Sequence, residues 1–254
     1  MQVTFLGTGT SQGVPIIACQ CEVCKSSNPK DKRLRSSVLI NADDTSIVVD
    51  TGPDFRQQML REQVRKLDAV LFTHEHKDHT AGFDDIRGFN FIQQKAMDVY
   101  ADIRVEKALK RDFFYAFGEY RYPGVPDLNL HIFQNEAFKV GNLDITPILT
   151  KHYKLPVYGF RVKDFTYITD ANYIAPEEKE KIKGSKVVVL NALRKTDHIS
   201  HFTLKQAIEL AQELGAEQTY FTHLSHQMGF HNEVDAELPD GINIAYDGLK
   251  VDLL

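Results

Sequence analysis

A short polar segment, residues 73–82, carries side chains whose types and spacing suit metal binding. It reads Thr-His-Glu-His-Lys-Asp-His-Thr-Ala-Gly and follows the run Ala-Val-Leu-Phe, which is typical of a buried strand. His74 and His76 alternate along an extended chain and therefore point to one side of it. Asp78 and His79 follow where the chain bends, so one loop can address two adjacent cations. Aspartate together with histidine suits Zn²⁺, Mn²⁺ or Fe²⁺, whereas Mg²⁺ and Ca²⁺ prefer mostly oxygen ligands.

This loop alone would leave each of two cations short of ligands. Further candidates lie at the ends of later apolar runs, namely His152, Asp170 and His223. Any one of them alone is more often an ordinary surface residue, and the first loop has its own alternative as a solvated, histidine-rich segment. Because all three later residues occupy the same topological position, we expect them to complete a metal site at one edge of a sheet.

A second group of metal-binding residue types is the loop Cys19-x-Cys21-x-x-Cys24. These cysteines are too close together for a disulfide framework, so they are either zinc ligands or reduced thiols without a ligand. A tetrahedral structural zinc needs a fourth ligand, and His226 is the best candidate because it lies three residues after His223. Such a site would hold the N-terminal loop to the C-terminal ligand loop and contribute stability rather than turnover.

The string H-x-H-x-D-H at residues 74–79 resembles the signature of the metallo-β-lactamase superfamily. The resemblance implies an α/β (α+β four-layer) αββα sandwich, in which two mixed β-sheets lie face to face with helices outside. The implied ligands are His74, His76 and His152 for one cation, Asp78, His79 and His223 for the other, and Asp170 as a bridge. Two such cations, Zn or Mn, can activate a water and neutralise a phosphate. We therefore expect Asp78 to be essential for catalysis and Asp50 to orient the ligands.

Four stretches together resemble the phosphoribosyl cyclic phosphodiesterase family of the carbon-phosphorus lyase pathway. They are residues 5–11, 19–24, 73–82 and 222–227. That family has a further catalytic histidine after the strand corresponding to residues 186–190, and here His198 and His201 are the candidates. We choose His201 because it lies just before the helix that starts at Thr203, as the family's histidine does. It would donate a proton to the leaving alkoxide or hold a phosphate oxygen.

The composition, 43% hydrophobic and 26% charged over 254 residues, is that of an ordinary globular protein, and we expect a single domain over residues 1–254. The formal charge is −5 and no basic stripe is visible, so we do not expect nucleic acid as a partner. No export signal or run of roughly 20 apolar residues is present, so we expect a cytoplasmic protein without a membrane partner. A homodimer stays open.

The elements that must position these residues follow from apolar periodicity. Residues 3–6 predict a strand before the glycine-rich loop 7–13, whose alternative as a nucleotide-binding loop lacks the long helix that should follow. Asp54 is expected to cap a helix. The remaining expectations are a hairpin at 37–41 and 46–50, strands at 69–73, 157–163, 165–169, 186–190 and 218–222, β character at 137–147, a helix at 80–88, a helix bounded by the Thr203/Gln206 capping box and Gly215, and a closing hairpin at 242–253.

An aromatic segment, residues 113–122, could pack in the core or stack on bases, and we favour packing. The leading hypothesis for function is a dinuclear phosphoric diester hydrolase acting on a small cyclic or nucleotide-like phosphodiester. A tRNA 3′-end processing endonuclease is an alternative, but those enzymes carry a basic, glycine- and proline-rich arm that this sequence lacks. A non-catalytic, metal-stabilised scaffold is a third hypothesis, which missing ligands would favour.

Overall fold

Strands and helices alternate along the chain in the computed structural model, which describes residues 1–118 and 122–253. The strands are β1 (Gln2–Gly7), β2 (Ser37–Ala42), β3 (Thr45–Val49), β4 (Ala69–Leu71), β5 (Met97–Ala101), β6 (Leu128–Ile132), β7 (Phe138–Val140), β8 (Leu143–His152), β9 (Leu155–Val162), β10 (Phe165–Tyr167), β11 (Tyr173–Ile174), β12 (Val187–Asn191), β13 (Gln218–Thr222), β14 (Ile242–Ile244) and β15 (Lys250–Asp252). The helices are α1 (Glu22–Lys25), α2 (Phe55–Arg61), α3 (Lys77–Thr80), α4 (Arg87–Gln93), α5 (Ile103–Asp112), α6 (Pro176–Ile182), α7 (Leu204–Leu214) and α8 (His231–Ala236).

The strands form two mixed sheets. The first has the order β15-β1-β2-β3-β4-β5-β6, and the second has the order β11-β8-β9-β10-β12-β13-β14, with β7 paired to β8. Strands β3 to β6 pair in parallel, as do β10, β12, β13 and β14. Strand β9 is antiparallel to both β8 and β10, so β8 runs in the same direction as β10. The ends of β8, β10 and β13 therefore lie at the same edge of the second sheet.

The hydrophobic residues divide between the layers as strand alternation requires. In β1, Phe5 lies in the cluster between the two sheets with Phe160, whereas the next residue, Leu6, lies in an outer cluster. That outer cluster includes Phe55 of α2, and the cluster on the far side of the second sheet includes Leu210 of α7. The layers are helix, sheet, sheet and helix. The predicted αββα sandwich of the α/β class is therefore confirmed.

The C-terminal tail joins the two sheets instead of folding on itself. Strand β14 pairs in parallel with β13, and β15 pairs antiparallel with β1 in the other sheet. The prediction of a closing hairpin at residues 242–253 is wrong. Its β character is present, but tertiary packing selects the partner of a strand, and a local pattern does not encode that choice.

Helical structure begins inside the predicted metal-binding loop. Helix α3 starts at Lys77, a 3₁₀ turn covers Phe83–Ile86, and α4 starts at Arg87. The single helix expected at residues 80–88 is therefore wrong. The Gly82 N–H donates to Thr51 O at 2.8 Å, outside the helix, and this bond interrupts the helical ladder at that point.

The two predicted helix caps have different outcomes. The capping box of Thr203 with Gln206 is present at the start of α7, and Gly215 ends that helix in the left-handed conformation, so both predictions are confirmed. Asp54 occupies the N-cap position of α2 but makes no capping bond. Its carboxylate instead accepts from Arg35 N at 2.8 Å and Nη1 at 3.0 Å, so its role as a side-chain cap is wrong.

Part of the aromatic segment packs inside the protein. Phe113 belongs to the outer cluster of the first sheet, and the Tyr115 hydroxyl donates to Asp84 at 2.6 Å, whereas Phe114 and Tyr122 are exposed. Residues 119–121 of this segment lie outside the described residues. Among the described residues, no helix combines the length and apolar character that crossing a membrane requires.

Candidate active site

The side chains predicted to bind two cations lie together at one edge of the sheets. They follow the ends of strands: His74, His76, Asp78 and His79 after β4, His152 at the end of β8, Asp170 after β10 and His223 after β13. Ligand atoms of Asp78, His79, Asp170 and His223 form one group, and those of His74, His76 and Asp170 form another. The ring of His152 lies 5.4 Å from that of His76. The structure therefore brings all seven predicted residues into one cluster.

Asp170 lies at the centre of this cluster. Its Oδ1 is 2.8 Å from His223 Nδ1, and its Oδ2 is 2.9 Å from His79 Nε2 and 3.3 Å from His74 Nε2. Burial opposes ionisation of this carboxyl, but His223 and His79 hold its pKa well below the usual range. One carboxylate thus contacts histidines of both predicted ligand sets, as a bridging ligand must.

The other predicted ligands face each other in pairs. His74 Nε2 lies 3.0 Å from His76 Nδ1, and His79 Nε2 lies 3.1 Å from Asp78 Oδ2. His152 Nδ1 donates to the Ser200 carbonyl at 2.8 Å, so the lone pair of this neutral ring is on Nε2. His76 is exposed whereas His74 is buried, so the cluster opens to solvent on the His76 side.

Asp50 orients two of the histidines from beneath the cluster. It is fully buried, and its Oδ2 accepts from His79 Nδ1 at 2.7 Å and from Thr73 Oγ1 at 2.8 Å. Because the Thr73 hydroxyl donates to Asp50, its oxygen can accept from His74 Nδ1, which lies 2.9 Å away. Both rings therefore use Nδ1 for orientation and turn Nε2 toward Asp170.

Left-handed backbone recurs at the strand ends that carry the site. Asp50 has φ +65°, Asp170 has φ +52° and His223 has φ +58°. This region is uncommon for residues other than glycine, although aspartate and histidine enter it more readily than most. Each such residue costs on the order of 1–3 kcal/mol, which the surrounding structure must offset. Sequence reasoning missed this feature, because residue type alone does not report φ.

The chemistry of the cluster fits divalent cations. His79 Nε2 is buried and has no hydrogen-bond partner among the described residues, although it faces the carboxylates of Asp78 and Asp170. Burial opposes a charge on His79, but these two carboxylates and Asp50 raise its pKa well above the usual value. The site therefore favours positive charge at this point, which a bound cation supplies. Imidazole nitrogens and carboxylate oxygens together suit Zn or Mn.

His201, the predicted non-ligand catalytic histidine, lies beside the cluster. Its ring centroid is 4.5 Å from that of His152 and 4.9 Å from that of His223, and its Nδ1 is 4.0 Å from Asp170 Oδ1. Nδ1 is buried, and no residue in the part of the chain that the structure describes forms a hydrogen bond with it. Burial lowers the pKa of His201 to about 2, so the ring is neutral and can donate through one nitrogen only. The alternative residue, His198, lies farther out, with its ring centroid 5.0 Å from that of His201.

The three cysteines converge on His226. The Sγ atoms of Cys19, Cys21 and Cys24 lie 3.4, 3.2 and 3.6 Å from His226 Nδ1. Zinc bonds of ~2.3 Å to sulfur and ~2.0 Å to nitrogen, set at tetrahedral angles, place those atoms roughly 3.5 Å apart. The observed spacing therefore fits the predicted structural zinc.

The thiols of this group differ in acidity. The Cys24 backbone N–H and the His226 side chain lower the pKa of Cys21 to about 6, whereas burial raises the pKa of Cys24 to about 11. A divalent cation would favour the thiolate form of all three, since zinc binds sulfur as thiolate.

Comparison with known proteins places the chain in a family. Residues 45–224 match the model described as a β-lactamase superfamily domain. A crystal structure described as a new diphosphatase from the PhnP family has a TM-score of 0.93 and 38% sequence identity, and the match covers 100% of this chain and 98% of that one. The chain belongs to the PhnP family of the β-lactamase superfamily. The resemblance inferred from the motifs is confirmed, and the fold of this family implies divalent metals.

Curated relatives of this PhnP-family chain are longer. The octanoyltransferase of Porphyromonas gingivalis (strain ATCC BAA-308 / W83) is 39% identical over 253 residues, which are 98% of this chain and 51% of that protein. The ribonuclease Z of Acaryochloris marina (strain MBIC 11017) is 26% identical over 169 residues, which are 65% of this chain and 48% of that protein. The chain thus spans about half the length of these relatives.

A close backbone contact positions Asp78 in this PhnP-family site. A Cβ atom on Gly52 would lie 2.1 Å from Asp78 O, and a Cβ atom on Gly82 would lie 2.1 Å from Gly52 O. Only glycine permits this approach between the loop after β3 and helix α3. The sequence signal is a glycine two residues after Asp50 and a second glycine at the end of the segment 73–82. Glycines in ordinary turns give the same signal.

Proposed function

We propose that this chain is a dinuclear, metal-dependent phosphodiesterase that hydrolyses a small cyclic or nucleotide-like phosphodiester. The observation that carries this proposal is Asp170, whose two oxygens face histidines of both predicted ligand sets. A bound pair of divalent cations lowers the pKa of a water and offsets the charge that develops on phosphate oxygens. We assign two Zn or Mn ions to this site and one structural Zn to the cysteine group.

The residues of the chain divide the work as follows. The proposed ligands are His74, His76 and His152 for one ion, Asp78, His79 and His223 for the other, and Asp170 for both. Asp50 holds two of the rings in their binding orientation. His201 donates a hydrogen bond to a phosphate oxygen, because its neutral ring lies beside Asp170 and, among the described residues, its Nδ1 has no partner. A ring that is neutral at pH 7 has no proton to give to the leaving oxygen, so the expected role as proton donor is not proposed.

A diphosphate bond is a second candidate target, favoured by the 38% identical structure described as a diphosphatase. The chemistry is closely related. In either case water supplies the oxygen of the new bond to phosphorus, and the bond from phosphorus to the leaving oxygen breaks. The leaving group is an alkoxide in a diester and a phosphate in a diphosphate, and it takes up a proton if its pKa requires one.

The other hypotheses are less well supported. The formal charge of −5 disfavours a long RNA substrate, because nucleic-acid binding draws its affinity from phosphate contacts with basic residues. A non-catalytic scaffold would be favoured by missing ligands, and the ligand set is present. A cytoplasmic location, a single domain and a homodimer stay predictions.

A substrate panel tests the proposal. The metal-loaded protein is assayed with bis-p-nitrophenyl phosphate, a 2′,3′-cyclic nucleotide, ADP-ribose as a diphosphate, and a precursor tRNA. We expect hydrolysis of at least one small substrate, no cleavage of the tRNA, and complete loss of activity after chelation. Asp78→Ala should abolish the activity, whereas Asp144→Ala, at an exposed ion pair, should not. Activity that survives removal of all metal, or cleavage of the tRNA alone, would refute the proposal.

A further inference from the structure

His198 stands beside the proposed site with a defined hydrogen-bonding polarity. Its Nδ1 lies 3.3 Å from the backbone nitrogen of Ser200 and 3.3 Å from the hydroxyl oxygen of that residue. A backbone N–H can only donate, so Nδ1 carries the lone pair and accepts. The neutral ring therefore carries its hydrogen on Nε2, which becomes a donor.

The loop that holds His198 is fixed by side chains on both sides of it. Asn172 Nδ2 donates to Ile199 O at 3.0 Å, and Arg194 Nη2 donates to Asp197 O at 2.6 Å. The backbone carbonyl of Ser200 accepts a hydrogen bond from the proposed ligand His152 at 2.8 Å. One residue, Ser200, thus ties His198 to the cluster. A donor held in this way loses little conformational entropy when it binds a ligand.

His198 is the outer member of a row of groups leading away from Asp170. His201 comes first and is buried, with its Nδ1 4.0 Å from Asp170 Oδ1. His198 comes next and is only half-buried, with its ring 5.0 Å from that of His201. Within the described residues, its hydrogen bonds are made through Nδ1, and Nε2 has no protein acceptor. The row therefore places an N–H donor one side chain farther from Asp170 than His201 is.

The charge near His198 favours an anion. The guanidinium of Arg194 is held beside this loop, where its Nη2 donates to Asp197 O at 2.6 Å and its Nη1 to Gln227 Oε1 at 2.9 Å. Burial and then this cation lower the pKa of His198. The ring is therefore neutral at pH 7 and keeps Nδ1 as an acceptor from Ser200. A phosphoryl oxygen is the substrate group that both a neutral N–H donor and a nearby arginine would bind.

We propose that His198 donates a hydrogen bond from Nε2 to the phosphoryl group next to the one attacked, and so sets a preference for diphosphate-bridged substrates over diesters of a single phosphate. This inference rests on the proposed hydrolysis at phosphorus and, of the two candidate targets given there, favours the diphosphate bond. In this proposal His198 binds substrate. This role differs from that of the catalytic histidine, for which the sequence made His198 the alternative to His201. In substrates with one phosphorus, this donor has no phosphate oxygen to bind.

Two substitutions separate this role from a purely structural one. His198→Asn keeps an acceptor where Nδ1 lies but removes the Nε2 donor, whereas His198→Gln places an N–H near Nε2 but removes the acceptor for Ser200. We expect His198→Asn to lower kcat/KM for ADP-ribose about tenfold or more, mainly through KM, with less than a twofold change for bis-p-nitrophenyl phosphate. His198→Gln should recover part of the preference for the diphosphate.

A binding measurement gives a second readout that does not depend on turnover. Calorimetry with metal-loaded protein compares methylenediphosphonate with methylphosphonate, which has one phosphorus. We expect His198→Asn to weaken the first about tenfold and the second less than twofold, with metal content and melting temperature unchanged. The ¹⁵N shifts of the His198 ring should show the hydrogen on Nε2.

The possible failures are distinguishable. If the wild-type protein hydrolyses no phosphoester or diphosphate, the proposed function fails and this inference fails with it. If the wild-type protein is active but His198→Asn retains its ratio of activities and its affinity for the diphosphonate, only the role of His198 is overturned. A His198→Gln variant that is more damaged than His198→Asn toward both substrates would show that the ring serves only to hold Ser200.

Discussion

Asp50 is one buried carboxylate that orients two of the proposed metal ligands, His79 and His74, without being a proposed ligand itself. Burial raises its pKa, and its bonds to His79 and Thr73 oppose that shift. Through Thr73 it also reaches His74. Partners of this kind fix the ring orientation and the tautomer of metal-binding histidines, so their loss lowers the affinity for the metal.

We predict that Asp50→Asn lowers metal affinity at the dinuclear site by about 10- to 100-fold. The amide keeps the size of the carboxylate but removes the charged acceptor for His79. Thr73→Val interrupts only the link to His74 and should have a smaller effect. Competition with a chromophoric chelator measures both affinities. Asp50 Oδ1 also accepts from Thr73 N at 2.9 Å, and an unchanged affinity in Asp50→Asn would show that the carboxylate supports only this backbone contact.

At the scale of elements, the loop after β3 and helix α3 work as one unit. Gly52 and Gly82 allow their backbones to meet, and Thr51 N donates to His79 O at 2.8 Å across the same junction. Asp78 and His79 lie on this helix. Their position therefore depends on the contact between two elements and not on the loop sequence alone.

We predict that Gly52→Ala destabilises the protein by about 1–3 kcal/mol, since its Cβ would meet Asp78 O. The melting temperature should fall by about 2–4 °C per kcal/mol, and metal affinity should fall with it. Gly88→Ala in α4 is the matched control, because no atom of residues 1–118 or 122–253 lies within 4 Å of where its Cβ would be. It should be neutral or stabilising within about 1 kcal/mol. Equal behaviour of the two variants would contradict the close contact.

The cysteine group links two further elements, the N-terminal loop and the segment after β13. We predict that Cys21→Ser lowers the melting temperature by on the order of 10 °C, because a zinc ligand is lost. Turnover by the folded fraction should change much less. Thermal melts and active-site titration check this expectation. Complete loss of activity with an unchanged melting temperature would mean that these thiols act in catalysis instead.

Over the whole molecule, Arg33 joins parts of the chain that are distant in sequence. Its buried guanidinium donates to Thr8 Oγ1 at 2.8 Å, to Ala245 O at 2.7 Å and to His231 Nδ1 at 3.2 Å. Accepting this bond requires His231 to be unprotonated at Nδ1. Burial and the charge of Arg33 lower the pKa of His231 to about 4.

This arrangement predicts a pH dependence of stability. An unfolded histidine has a pKa of about 6.5, so between that pH and about 4 the unfolded state binds more protons at His231 than the folded state does. The contribution of His231 is fully present above about pH 6.5 and is lost as the pH falls toward 4. His231→Asn keeps an acceptor without this titration. The free energies of unfolding of the two proteins, measured by denaturant unfolding at several pH values, should diverge across this window. Parallel plots of these free energies against pH would contradict the assignment.

Much of the fold was accessible from the sequence, for local reasons. The alternation around Phe5 and the capping box at Thr203 are encoded by neighbouring residues, so β1 and α7 were predicted at nearly their full extent. The strands that pair with β14 and β15 were not predicted, because this pairing depends on which sheet packs against the C-terminal tail.

The candidate site divides in the same way. The residues 74–79 stand close together in sequence, and His152, Asp170 and His223 all end strands, so residue type and topology indicated the cluster. The contacts that shape it were hidden. No pattern reports the left-handed φ of Asp170, the approach of Gly52 to Asp78 or the hold of Ser200 on His152.

The most direct test of the central claim is anomalous diffraction from crystals of the metal-loaded protein, recorded at the zinc or manganese absorption edge. Two neighbouring peaks are expected beside Asp170, one toward His74 and the other toward His79, with a third among the sulfur atoms of the cysteine group. A single peak or none beside Asp170 would contradict a dinuclear centre.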